Sequence, residues 1–262
     1  MQDQNIFLKR KPSWHFILIL INVVGFILLA LAIKSHGSSF SLNIEAYNYF
    51  HTLRNNIINN IAILLCLLGD KKVIIPTFGI ICLWLLYQKQ QRAAFYCFLT
   101  VASAVITTYL FKIGVASPRP GDMTLALKNF SFPSGHVTLI SAYLIFLYAL
   151  IAPAFHDSQR KLMAIGAAAL IVAELFARLL LDAHWVTDIL AGLLLGISCG
   201  LLGVYGYYQK FKAINNPKQF IVVVLLTFFI VSCIYMALFY KKMLSEYQIE
   251  NGVIGGSFHK TI

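Results

Sequence analysis

The stretch VTDILAGLLLGISCGLLGVYGYY, residues 186–208, decides the fold. It carries one charged residue, Asp188, near its start and is apolar or small almost throughout. Coiled as an α-helix at about 1.5 Å per residue, it reaches roughly 34 Å, enough to cross the ~30 Å hydrocarbon core of a bilayer. Gly192, Gly196 and Gly200 recur every four residues along it, a stripe that lets a neighbouring helix approach closely. Similar blocks lie on either side: Leu162–Leu181, Val137–Pro153, Ala93–Phe111, Val73–Tyr87 and Trp14–Ile33 upstream, and Phe220–Tyr240 downstream. The chain is 59% hydrophobic and only 12% charged, about half the charge of a soluble domain. The fold class that follows is all-α: one polytopic transmembrane bundle with a six-helix core and an additional C-terminal span, seven crossings in all.

The connections set the orientation. Lys34–Asn56 is polar, and Ile57–Leu68 is apolar but short, with asparagines at its start, so it reads as an interfacial helix. Residues 1–13 are an expected cytoplasmic N-terminus, 14–240 the membrane domain and 241–262 a polar tail. The basic start and Ala30-Leu31-Ala32 resemble a signal peptide, but the run is longer than a signal core and is read as a retained span. Lys9, Arg10, Lys11, Lys89, Arg92, Arg160, Lys161, Lys210, Lys212 and Lys218 fall in connections that lie inside when the N-terminus is inside, as the positive-inside rule requires. That explains much of the net charge of +11 without nucleic acid. Lys241 and Lys242 stand against this orientation at the last span. Cys66, Cys82, Cys97, Cys199 and Cys233 lie in apolar blocks without metal-type spacing and read as small buried hydrophobes.

With this orientation two polar stretches emerge on the outer face. One runs from Lys112 through Ser117-Pro-Arg119-Pro120 to Phe132-Pro-Ser134-Gly135-His136; the other from Arg178 through Asp182-Ala-His184-Trp185 to Asp188. Lys112, Arg119 and Arg178 are three cations beside a low-dielectric medium, where unpaired charge is costly. Arginines offer planar bidentate donors suited to phosphate, and Ser134-Gly135-His136 opens a helix whose N-terminus favours an oxyanion. His184 and Asp188, four apart, can share a face. A carboxylate on one ring nitrogen fixes the tautomer while the other nitrogen attacks phosphorus. His136 is then placed to protonate the departing oxygen. Trp185 reads as an interfacial anchor. Asp182, Asp122 and Lys128 read as solvated loop residues. His15, His36, His51, His156 and His259 are scattered and carry no pattern.

Lys112, six residues, then Arg119-Pro120; Pro133-Ser134-Gly135-His136; Arg178, five residues, His184, three residues, Asp188: together these resemble the type 2 phosphatidic acid phosphatase superfamily in its membrane-bound branch. The resemblance spans about Lys112–Asp188. It implies that Lys112, Arg119, Ser134, Gly135 and Arg178 bind phosphate, that His136 is the acid, His184 the nucleophile and Asp188 its partner. It also implies a metal-independent hydrolase without cofactor acting on a lipid phosphate or diphosphate: undecaprenyl diphosphate, phosphatidylglycerol phosphate, phosphatidate or a lipid A phosphate. The setting expected is a bacterial cytoplasmic membrane with the site facing outward. Ala177 departs from the pattern, which has serine before the third-motif arginine. Glu174, one turn before Arg178, is expected to pair with it and position it. A lipid-to-lipid phosphotransferase would use the same residues. A vanadate-dependent haloperoxidase shares the motifs but is soluble. A non-enzymatic lipid-binding or transport protein would not need the two histidines and the aspartate. The sequence is silent on oligomeric state.

Overall fold

A computed structural model of the chain describes residues 13–121 and 129–247. Lys9, Arg10, Lys11, Asp122, Lys128, His259 and the tail beyond 247 lie outside the described residues. The described residues form α1 (Ser13–His36), α2 (Ser41–Thr52), α3 (Asn56–Leu65), α4 (Lys71–Tyr87), α5 (Gln91–Val115), α6 (Gly135–Ile151), α7 (Asp157–Leu180), α8 (Val186–Tyr208) and α9 (Pro217–Glu246). Short 3-10 turns follow α3 at Cys66–Leu68 and α6 at Ala152–Ala154. Local chemistry sets several of the starts. Asn55 accepts from the Ile58 N–H at 2.9 Å to open α3, and Asp70 accepts from the Lys72 N–H at 2.8 Å to open α4.

The central helix is α8, packed on α6, α1 and α5. Its glycine stripe is the contact surface. A Cβ on Gly192 would lie 2.7 Å from the Ser134 carbonyl, and one on Gly200 would lie 2.9 Å from that of Ala142. Such approach is open only to glycine, and it seats the start of α8 beside the start of α6. Gly69 does the same for the turn before α4, where a Cβ would lie 2.6 Å from the His136 carbonyl.

Six helices are long and apolar enough to cross a membrane among the described residues: α1, α5, α6 with its 3-10 extension, α7, α8 and α9. The expected seventh crossing, α4, has 17 residues, short for a span. It still runs the length of the bundle, from Gly69 against His136 to the turn where Arg92 meets Tyr207. The outer faces of α1 and α9 expose Leu20, Ile21, Leu28, Leu225, Phe229 and Leu238, a surface suited to lipid and not to water. The chain is an integral membrane protein.

Four expectations need correction. The polar connection Lys34–Asn56 contains helix α2, because Asn43 is satisfied by Thr187 and Phe50 packs on Phe176 with ring centroids 6.0 Å apart. The tail expected from 241 begins as helix, since α9 continues to Glu246. Asp182 is not solvated. It is buried and held by Arg54 at 2.5 Å and His51 at 2.7 Å, which also gives His51 a role. Of the cysteines, Cys82 is half-buried and Cys233 exposed on α9, so lipid replaces protein as the apolar medium there.

Candidate active site

The ends of α5 and α7 and the starts of α6 and α8 meet at one end of the bundle, and the three motifs converge there. Asp188 sits in the first turn of α8. One of its oxygens, Oδ2, accepts from the Trp185 backbone N–H at 2.9 Å, accepts from the Ser131 hydroxyl, and lies 3.4 Å from His184 Nδ1. Helix capping and imidazole orientation thus use the same carboxylate oxygen. Ser131 Oγ is also 3.3 Å from His184 Nδ1. With Nδ1 facing these acceptors, the ring carries its proton there and leaves Nε2 as an acceptor. Nε2 faces Arg119 Nη1 at 3.4 Å.

Arg119 is buried and ties the motifs together. Its Nε donates to the Asn129 carbonyl at 3.1 Å, Nη2 to the Asn129 side chain, and Nη1 to the Ala183 carbonyl. Burial first, then the charge of Arg178, brings Arg119 down to about 10, still cationic at neutral pH. Lys112 spends two of its three donors on the Phe130 carbonyl at 2.5 Å and the Ser131 carbonyl at 3.0 Å. At the start of α6, Ser134 stands in the capping position but makes no capping bond, and its buried hydroxyl has no partner. Its N–H is engaged with the Asp188 carbonyl at 3.0 Å. The Thr138 N–H makes the bond back to Ser134, at 3.0 Å, so the N–H groups of Gly135, His136 and Val137 precede the helical ladder.

Arg178 is almost wholly buried at the end of α7. Nη1 reaches Cys66 Sγ at 3.1 Å and the Tyr247 hydroxyl at 3.4 Å; Nη2 reaches the same hydroxyl at 3.3 Å; Nε has no partner. Burial pushes the Cys66 thiol up to about 12 despite the arginine, so it remains a neutral acceptor. The expected Glu174–Arg178 ion pair does not form. Arg178 turns toward Cys66 and Tyr247, and both Glu174 oxygens are buried without a hydrogen-bond partner. Ala177 is fully buried in an apolar cluster with Ala62, Ile63 and Leu181.

Electrostatically the site is lopsided. Among the described residues, no ion pair involves Lys112, Arg119 or Arg178; the four present are His51–Asp182, Arg54–Asp182, Arg160–Asp157 and His184–Asp188. His184 feels this excess. Its pKa falls well below 6.5, first through burial, then through Arg119, Arg178, Lys112 and His136. The bond from the Ser134 N–H to the Asp188 carbonyl sets the start of α6, where His136 sits, beside the start of α8 that follows His184.

All nine sequence-derived residues therefore gather at this end of the bundle. Sequence reasoning missed Ser131, Asn129, Cys66 and Tyr247, which orient the motif residues. It also missed Ser38 and Asn43. Ser38 meets Ser117 with hydroxyls 2.6 Å apart, and Asn43 accepts from the Thr187 N–H at 3.1 Å. A serine or asparagine in a loop has no spacing signature, so only the fold reveals these. Trp185 is more than an interfacial anchor, since its Nε1 donates to the Pro118 carbonyl at 2.9 Å and joins the first motif to the third.

An all-helical membrane bundle with buried arginines beside an oriented imidazole defines a class of protein. Residues 92–213 match the PAP2 superfamily. The matched stretch runs from the start of α5 past the end of α8 and holds every motif. The chain is 24% identical over 203 residues to an undecaprenyl-diphosphatase of Sulfolobus acidocaldarius, covering 74% of this chain and 91% of that protein. Its fold matches the crystal structure of a transmembrane PAP2 type phosphatidylglycerolphosphate phosphatase from Bacillus subtilis. That match has a TM-score of 0.63 and 23% identity, over 74% of this chain and 97% of that one.

Proposed function

We propose that this chain is a lipid phosphatase that hydrolyses a lipid phosphate or diphosphate through a phosphohistidine on His184, at the outer face of the bilayer. The observation that carries the reading is the set of three cations without carboxylate partners around His184, whose Nε2 turns its lone pair toward the Arg119 donor. A phosphoryl group supplies the missing negative charge and takes over the Arg119 donor that now faces Nε2.

The Nε2 lone pair attacks phosphorus, the bond from phosphorus to the leaving oxygen breaks, and His136 gives that oxygen its proton. Asp188 and Ser131 hold Nδ1–H and stabilise the imidazolium that develops. Water then attacks phosphorus, His136 takes the water's proton, and the P–N bond returns its electron pair to His184. Lys112, Arg119, Arg178, the Ser134 hydroxyl and the N–H groups of Gly135 and His136 hold the equatorial oxygens in both steps. Neither a metal nor another cofactor has a part in this scheme. The lipid tail enters sideways from the bilayer between helices, with the headgroup at the motif end. The two named relatives favour an undecaprenyl diphosphate or a phosphatidylglycerol phosphate over phosphatidate or lipid A phosphates.

Purified protein in detergent with chelator should release phosphate from at least one lipid in a panel of these four, and His184→Ala should abolish it. Release that needs added Mg²⁺, survives that substitution, or passes to a second lipid instead of water would overturn the reading.

A further inference from the structure

We propose that Tyr247, at the end of α9 and beyond the stretch matched by the family, is a positioning residue for phosphate binding that acts through Arg178. This rests on Arg178 being a phosphate ligand, as argued above.

A guanidinium has five N–H donors. The Tyr247 hydroxyl receives one from Nη1 at 3.4 Å and one from Nη2 at 3.3 Å, so it sits in the notch between the terminal nitrogens. Cys66 receives the other Nη1 donor at 3.1 Å. What remains is the Nε donor, which is buried without a partner, and the second Nη2 donor. These two form one edge of the fork, the geometry that grips two oxygens of a phosphoryl group at once. Tyr247 thus holds the far edge and leaves the near one open.

The phenol is itself held. The Tyr247 carbonyl accepts from Arg54 Nη2 at 2.9 Å and Asn59 Nδ2 at 3.1 Å, while Arg54 Nη1 is paired with Asp182 at 2.5 Å. Tyr247 is buried, and its ring lies 5.7 Å from the guanidinium carbon of Arg178. Glu174, the expected partner for Arg178, makes no bond to it. Rotamer freedom in a long arginine costs affinity unless something fixes it. Here the fixing groups come from α3, its following turn and the end of α9. The position of the last helix follows from this: its end must reach the catalytic mouth.

Tyr247→Phe keeps the ring and deletes the hydroxyl. With the panel lipid that wild type hydrolyses, kcat/KM should fall about 10-fold. Inorganic phosphate, measured as a competitive inhibitor, should weaken by a similar factor, with an unchanged thermal midpoint. In an Arg178→Lys background, the same substitution should change either quantity less than about twofold. An unchanged phosphate affinity in the single variant would overturn the proposal. So would tighter binding, which would make the phenol a competitor for the guanidinium, or an undiminished loss in the Arg178→Lys background. If Arg178→Lys itself bound phosphate as wild type does, the reading of the site would fail as well. A silent Tyr247→Phe beside a defective Arg178→Lys defeats this inference alone.

Discussion

The two ends of the bundle use arginine in opposite ways. At the end away from the motifs, Arg92 donates from Nε to the Tyr207 carbonyl at 3.1 Å and from Nη2 to that of Gly206, with its guanidinium 4.9 Å over the Tyr96 ring. It closes the C-terminus of α8 with a cation, the favourable sign for that pole of the helix dipole. Arg160, on the same side, pairs with Asp157 at 3.4 Å. At the motif end, Arg119 and Arg178 are deeper and meet carbonyls, a thiol and a phenol, with no carboxylate within ion-pair range. A cation that completes a helix is finished by the fold. A cation buried without a counter-ion holds binding capacity for an anion that arrives later.

Substitutions break this comparison in order of size. His184→Ala should lower kcat by roughly 10⁴-fold or more, since it removes the nucleophile; phosphate-release assays measure it. Arg119→Ala should cost about 10²–10³-fold in kcat/KM, the range for a preorganised donor to developing charge. A sharper form is Arg119→Gln with a pH profile. Burial and the nearby cations hold His184 below its ordinary 6.5, so the nucleophile stays neutral and the acid limb of kcat/KM lies below that value. Removing one cation should move this limb to higher pH, but not the whole way, because burial is the larger cause. Stability has the matching sign. The unfolded chain takes up a proton at His184 near pH 6.5 and the folded one does not, so His184 lowers stability as pH falls through that value. The smallest effect belongs to Arg92→Ala, which should leave kcat/KM within about twofold while lowering the thermal midpoint by a few degrees, because about 1 kcal/mol of capping is lost.

Much of this was legible in the sequence because the two strongest signals are periodic or rigidly spaced. Apolar blocks such as 186–208 announce helices, and the glycine stripe announces a close helix contact, though not that α6 makes it. Lys112, Arg119, His136, His184 and Asp188 were legible because their spacing survives in one dimension. α4 is short for a crossing at 17 residues, and its place in the bundle follows from what lies at each of its ends. The supporting shell was not legible. Ser131, Asn129, Cys66 and Tyr247 act through contacts between residues up to 112 apart in the chain, and no local pattern encodes such a meeting. Glu174 shows the converse. Helical spacing suggested a partner for Arg178, but the guanidinium turns instead to Cys66 in the turn after α3 and to Tyr247 just past α9.

The most direct test is to trap the covalent intermediate. Rapid quenching of the purified protein with phosphorus-labelled lipid substrate should yield label on His184, stable in alkali, labile in acid, and absent from His184→Ala. Turnover with no protein-bound label at any quench time, or label on another residue, would contradict nucleophilic attack by this imidazole.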